Sequence, residues 1–359
     1  MSESTILDFS DPVTLAAALV DIPSPSHHET ELADALEPAL RAIPGVQVHR
    51  HGNTLLARTR RGLGERVILA GHIDTVPIVD NLPHRLVDGV LHGCGSVDMK
   101  SGLAVYLHTF WLLANDPGLN RDLTLIAYEG EEVSTEFNGL GHIEADLPEW
   151  LVGDIALLGE PSGAIIEAGC QGTLRLRITA RGERAHSARA WLGENAAHKL
   201  APVLTRIAAY QPRSVKIDEC EYREGLNVVH LESGVTTNTI PDEAWLFLNF
   251  RFAPDRSVAG AEAHLREVLD FAGLEVEIDD AAPGALPGLG SPPAQELLSA
   301  VGGRFRAKYG WTDVARFAAR GIPALNFGPG DPNFAHKKDE QCPVWMITGV
   351  VQTLRAWLT

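Results

Sequence analysis

"RVILAGHIDTVP", residues 66–77, runs an apolar stretch straight into a histidine and an aspartate two positions apart, with a proline closing the turn. An apolar run without polar alternation reads as a strand covered on both faces, the kind that fills the middle of a parallel sheet. Residues two apart on an extended chain share a side, so this strand delivers His72 and Asp74 together at its carboxyl end.

The same pattern recurs on either side. "TLLAR" (54–58), "LTLIAY" (123–128) and "DIALLG" (154–159) are short apolar runs, separated by the helical stretches "ETELADALEPAL" (29–40) and "GLAVYLHTFWLLA" (102–114). An earlier helix, "DPVTLAAALV" (11–20), opens with Asp11 as N-cap and Pro12 at the first helical position. Helices alternating with buried strands predict an α/β fold with a mostly parallel sheet.

The pattern changes near residue 171. "TLRLRITARG" (173–182) alternates apolar and polar residues, as a strand with one face in water does. A helix over about 193–210 follows, then "LNVVHLESG" (226–234), "AWLFLNFRF" (244–252), a helix over 257–272 and "LEVEID" (274–279). Strand, helix, two strands, helix, strand is the order of a ferredoxin-like split βαβ unit. The Gly/Pro-rich "AAPGALPGLGSPP" (281–293) leads back to a helix, the strand "IPALNF" (322–327) and a last helix. The expected organisation is a discontinuous sheet domain, 1–170 and 284–359, interrupted by a small domain at 171–283. A length of 359 residues favours two domains.

Composition narrows the function. With 47 acidic against 30 basic residues the formal charge is -17, which repels nucleic-acid phosphates and anionic lipid and argues against both as partners. The 4 cysteines have no paired spacing, in keeping with a reducing compartment. No basic start with an apolar stretch marks the N-terminus, and no run reaches the roughly 18 apolar residues that span a bilayer. A soluble, cytoplasmic protein is expected.

Chemistry-bearing residues gather at the strand ends. Besides His72 and Asp74, Asp98 lies in "GCGSVDMKSG" (93–102), Glu131 and Glu132 follow "LTLIAY", Glu160 follows "DIALLG", and His336 lies in "GPGDPNFAH" (328–336) after "IPALNF". Ligands of open parallel sheets gather at the carboxyl ends of strands. Several carboxylates buried together without cations are costly, and a metal pair removes that conflict. Imidazole and carboxylate ligands suit zinc, and they accept cobalt or manganese as well. The Gly-rich "GCGSVDMKSG" lacks the lysine and glycine spacing of a phosphate loop. His27, His28, His49 and His51 read as surface or packing residues.

In order along the chain stand "GHIDTVP", "GCGSVDMKSG", "EGEEV", "GEP", "RGERAHSA", "NTIPDEA" with "NFR", and "FAHKKDE". With these signatures the chain resembles the aminoacylase and carboxypeptidase family of co-catalytic zinc amidohydrolases over nearly its whole length. The resemblance implies two zinc ions, one held by His72, Asp98 and Glu160 and the other by Asp98, Glu132 and His336, with Asp98 bridging. It implies that Asp74 steadies the His72 ring, that Glu131 is the general base, and that His186 of the inserted domain stabilises the oxyanion. It further implies a homodimer formed through the inserted domain, with that histidine often supplied by the partner. Two positions depart from the family pattern. Gly130 stands where an aspartate usually precedes the glutamate pair, a role for which Glu129 is the nearest replacement, and Cys94 stands where arginine or a small residue is common.

Acyl-amino-acid deacylases, dipeptidases and carboxypeptidases share such a scaffold, so fold and metals leave the substrate open. Arg175, Arg184, Arg189 and Arg251 are expected near His186 and Asn238. Arginine forks bind carboxylates in pairs, which favours a polycarboxylate substrate. Arg251 and Arg189, with Asn238 as an amide partner, are the substrate-binding candidates, followed by Thr312 and Asp313. Arg175 and Arg184 read as solvent-face residues. A non-catalytic metal-binding scaffold would have no need of a glutamate kept off the metals.

Overall fold

The computed structural model describes residues 7–359. Residues 1–6, the start of the expected first domain, lie outside the described residues. The chain forms two compact units. One runs to Ala168 and resumes with Gly288–Arg306 and Arg316–Thr359; the other comprises Gly169–Pro287 and Ala307–Ala315.

The first unit holds an eight-stranded sheet in the order Gln47–His51, Thr54–Arg58, Asp122–Tyr128, Arg66–His72, Ile155–Leu158, Ala324–Asn326, Ile166–Ala168 and Phe305–Ala307. Its four central strands, Asp122–Tyr128 to Ala324–Asn326, are mutually parallel. Antiparallel pairings extend the sheet on both sides of this centre. Every residue of Asp122–Tyr128 and Ile155–Leu158 is buried, which explains why these runs show no polar alternation.

Helix Lys100–Leu113 is buried along almost its whole length. It approaches the sheet so closely that a Cβ on Gly102 would lie 1.8 Å from the carbonyl oxygen of Gly159. Only glycine allows that approach, and it brings the start of this helix against the strand end that carries Glu160. Helix Pro12–Asp21 begins as its sequence predicts, with Asp11 accepting from the Thr14 N–H at 2.7 Å.

The second unit carries an antiparallel four-stranded sheet in the order Gly225–Ser233, Glu243–Phe252, Gly172–Arg181 and Glu275–Ala282. Leu174, Leu176, Ile178 and Ala180 are fully buried in one core with Leu265, Val203 and Leu246, the apolar half of the alternation. Arg175 and Arg177 take the other face, where Arg177 lies 4.4 Å over the Trp245 ring and Arg175 lies over Phe247.

One local expectation is corrected. The single helix over about 193–210 is split into short helices Ala196–Lys199 and Ala201–Ala209, and a 3-10 turn at Ser187–Leu192 precedes them. Pro202 stands in the first turn of the second of these helices, where its missing N–H costs least, and the chain restarts there. A hairpin, Ser214–Ile217 with Cys220–Arg223, adds an element that the sequence pattern does not predict. Its turn residues Asp218 and Glu219 both have positive φ, a conformation usually announced by Asn-Gly or Asp-Gly and here by neither. Among the described residues no helix is long and apolar enough to cross a membrane.

Candidate metal centre

Seven side chains named from the sequence meet in the first unit. His72 ends strand Arg66–His72, and its Nδ1 lies 2.9 Å from the Asp74 carbonyl and 3.4 Å from Asp74 Oδ1. That leaves Nε2 facing outward, 3.4 Å from Asp98 Oδ1. Asp98 sits just ahead of helix Lys100–Leu113 and is followed by a cis Asp98–Met99 peptide. Its Oδ2 lies 3.3 Å from His336 Nε2, so each carboxylate oxygen faces a different imidazole. His336 also lies 3.0 Å from Glu132 Oε2.

Two triads follow from this placement. His72, Asp98 and Glu160 offer ligand atoms within 4.8 Å of one another, as do Asp98, Glu132 and His336. Asp98 belongs to both, which is the geometry of a carboxylate bridging two ions. A donor set of imidazoles and carboxylates fits two divalent cations of the zinc, cobalt or manganese kind. Glu131 lies within the same reach of His72 and Glu132, beside both triads.

Asp74 organises the centre beyond its own ring contact. Its Oδ1 accepts from the Glu131 N–H and its Oδ2 from the Glu132 N–H, both at 3.0 Å. One buried carboxylate therefore orients an imidazole and the backbone of both glutamates. Ser26, which sequence reasoning missed, donates to Asp74 Oδ2 at 2.8 Å. Glu340 was also missed as a working residue, although it closes the quoted "FAHKKDE" stretch.

Gly130 has φ +69°, and a Cβ there would lie 2.3 Å from the Phe137 carbonyl oxygen, so this turn excludes the family's aspartate. The nearest replacement, Glu129, is elsewhere: its Oε1 accepts from the Asn53 N–H at 2.8 Å. Cys94 is buried at 2% exposure, and its Sγ donates to the Val76 carbonyl at 3.6 Å.

In the metal-free chain the imidazoles hold protons tightly. The hydrogen bonds to Asp98 and then Glu132 raise His336 to about 10, against the opposing effect of burial. Burial would lower His72, but its hydrogen bonds to Asp74 and Asp98 raise it well above the ordinary value. Asp98, penalised by burial, is nevertheless held low by His336 and His72. The His336 contribution favours the folded metal-free protein fully below about pH 6.5 and is lost as pH rises toward about 10. A cation must displace that proton, so metal uptake is expected to release protons between these limits and to tighten about tenfold per pH unit for each proton released. Calorimetric titration in buffers of different ionisation heat reads this directly; a buffer-independent heat would refute it.

The second unit holds the other candidates. His186 pairs across from Thr239, and the Asn238 carbonyl accepts from the Ser187 N–H at 2.8 Å, so His186, Arg189 and Asn238 share one loop region. His186 Nδ1 accepts from the Ala188 N–H at 3.0 Å. A neutral ring held so carries its proton on Nε2 and presents a donor there.

The expected clustering of arginines around His186 extends to Arg184 and Arg189 but not to Arg251. Arg251 lies eight residues along the strand from Glu243, which pairs with Arg181 beside the His186 region, while Arg251 pairs with Thr173 at the far end. At about 3.3 Å per residue that separation is roughly 26 Å. Arg175 is paired with Asp279, and Arg184 with Asp242 at 2.8 Å, consistent with solvent-face roles. Thr312 and Asp313 are buried, at 3% and 0% exposure.

Residues 68–359 match the model of peptidase family M20/M25/M40. A succinyl-diaminopimelate desuccinylase of Corynebacterium glutamicum is 60% identical over 97% of this chain and 96% of its own. Among solved structures, an M20 metallo-carboxypeptidase of Sulfolobus solfataricus superposes with TM-score 0.78 at 17% identity, covering 97% of this chain and 98% of its own. A Bacillus subtilis protein described as a dinuclear metal-binding peptidase gives TM-score 0.69 at 16% identity, over 98% of this chain and 97% of its own.

Proposed function

The chain belongs to peptidase family M20/M25/M40, and from that premise we propose that it hydrolyses N-succinyl-L,L-diaminopimelate to succinate and L,L-diaminopimelate. The observation that carries the substrate is the 60% identity, over almost the full length of both chains, to a relative named for that reaction. The reaction class rests on the two triads sharing Asp98. The product is a precursor in lysine biosynthesis, and this, with four free cysteines, supports a cytoplasmic enzyme.

His72, Asp98 and Glu160 hold one zinc, and Asp98, Glu132 and His336 the other, with cobalt or manganese as substitutes. The ions, when bound, acidify the attacking water and polarise the scissile carbonyl. Glu131, whose backbone is fixed by Asp74, takes the proton from that water and passes it to the leaving amine. His186 Nε2 donates to the oxyanion, its tautomer set by the Ala188 N–H. Arg189, Arg251 and Asn238 bind substrate carboxylates, followed by Thr312 as a further substrate-binding residue. Asp313 is the acidic member of that set, and its charge suits the substrate's free ammonium.

The protein works as a homodimer. Strand Gly225–Ser233 lies at the edge of its sheet, with Val229 and Leu231 exposed at 59% and 50%, and the nearby turn exposes Trp191 at 78%. A long unpaired edge with exposed apolar side chains is a template for pairing with a second copy. Arg251 and His186 of one copy stand too far apart to meet one small substrate, so a site that uses both draws them from different copies.

Side-by-side turnover of succinyl-diaminopimelate, acetylornithine and dipeptides tests the assignment. The succinyl substrate is expected to give the highest kcat/KM, by at least about tenfold. Faster cleavage of acetylornithine or of a dipeptide would move the chain to that branch of the family.

A further inference from the structure

Glu340 is a buried carboxylate, 2% exposed, four residues beyond the ligand candidate His336. Its Oε2 accepts from the Gly95 N–H at 2.9 Å, and its Oε1 from the Val97 and Asp98 N–H groups at 2.9 and 3.0 Å. Gly95 has φ +78°, a left-handed turn that lets the N–H groups of one short loop converge on a single anion. The backbone ties the same segments together: the Gly93 N–H donates to the Glu340 carbonyl at 3.3 Å, and strand Gln341–Pro343 pairs with Val90–His92. The loop that ends in Asp98 and the arm that bears His336 are thus fastened at one side chain.

We propose that Glu340 is a positioning residue that sets the bridging carboxylate Asp98 against His336, so that the second cation site exists only while this side chain holds the Gly95–Asp98 loop. The proposal rests on the dinuclear reading of the centre. A carboxylate has two acceptor oxygens for three donors, whereas the amide of glutamine has one and turns its own NH2 toward a backbone N–H. At least one buried donor then loses its partner, and the loop relaxes where it presents Asp98. The site formed by Asp98, Glu132 and His336 depends on the spacing of loop and arm. The site formed with His72 and Glu160 keeps two ligands on strand ends that Glu340 does not touch.

Cobalt titration of the metal-free full-length chain, followed by visible absorption, tests this alongside kcat and KM. Glu340→Gln is expected to bind the first equivalent within about threefold of the unaltered protein and the second about 10- to 100-fold more weakly. At fixed low metal, kcat should fall about 10- to 100-fold with KM within about threefold, and excess cobalt should restore most of it. Two equivalents bound as in the unaltered protein, with kcat within about threefold, would overturn the proposal. A general loss of stability would shift the melting temperature and weaken both equivalents together, which also counts against it. Should Glu340→Gln fail to fold, Glu340→Asp, one methylene too short to reach all three donors, carries the same titration. His336→Ala, which loses the second equivalent with Glu340 intact, serves as reference. An unaltered chain that took up fewer than two equivalents would refute the dinuclear reading itself.

Discussion

Glu131→Gln is expected to lower kcat by about 10³-fold, at the upper end of what general acid–base catalysis supplies, while two metal equivalents remain bound. The side chain keeps its size and its backbone stays on Asp74 Oδ1 at 3.0 Å, so the neighbouring ligands hold their places. What is lost is the ability to take and return a proton. The geometry also sets a sharper alternative, because Glu131 lies within ligand reach of His72 and Glu132. If glutamine at 131 removed a metal equivalent, Glu131 would be a ligand and the base would lie elsewhere. If the rate stayed within about tenfold, no proton would pass through this residue in the limiting step. Metal content by emission spectroscopy beside steady-state kinetics separates the three outcomes.

Part of the candidate centre was legible from the sequence because His72 and Glu160 stand at the ends of buried strands, and strands announce themselves, whereas Asp98 stands ahead of a helix and His336 after a 3-10 turn. The fully buried Asp122–Tyr128 and Ile155–Leu158 leave an apolar run and then a carboxylate, and the parallel centre of the sheet turns all such ends the same way. The residues that steady the ligands leave no such mark. Ser26 reaches Asp74 across 48 positions and Glu340 reaches Asp98 across 242, and neither has a local pattern distinguishing it from any other serine or glutamate. Arg251 falls outside the arginine cluster for a different reason. Asn238 and Arg251 are close in number, but an extended strand carries Arg251 away from the turn at about 3.3 Å per residue. Likewise, Gly130 reads as a missing aspartate until the Phe137 carbonyl is seen to occupy the space of its Cβ.

That separation gives the last prediction its form. His186→Ala is expected to lower kcat by about 10²- to 10³-fold, the usual cost of removing one oxyanion donor, with both metals bound and KM little changed. His186 lies on the short ladder Ala185–His186 with Thr239–Ile240, and Arg251 pairs with Thr173 at the far end of strand Glu243–Phe252; in the homodimer proposed above, His186 serves the centre of the other copy. Glu131 and His186 of one functioning site would then belong to different chains. Mixing Glu131→Gln with His186→Ala chains under conditions of subunit exchange should therefore restore activity that neither variant has alone. In the mixed dimer, the centre on the His186→Ala chain keeps its own Glu131 and receives the intact histidine from the other chain. The second centre lacks both groups. With random exchange of equal amounts, half the dimers are mixed and each has one working site, so activity should approach about a quarter of that of the unaltered protein. Were His186 to act within its own chain, every centre in the mixture would lack one group and the rate would stay at the level of the parents.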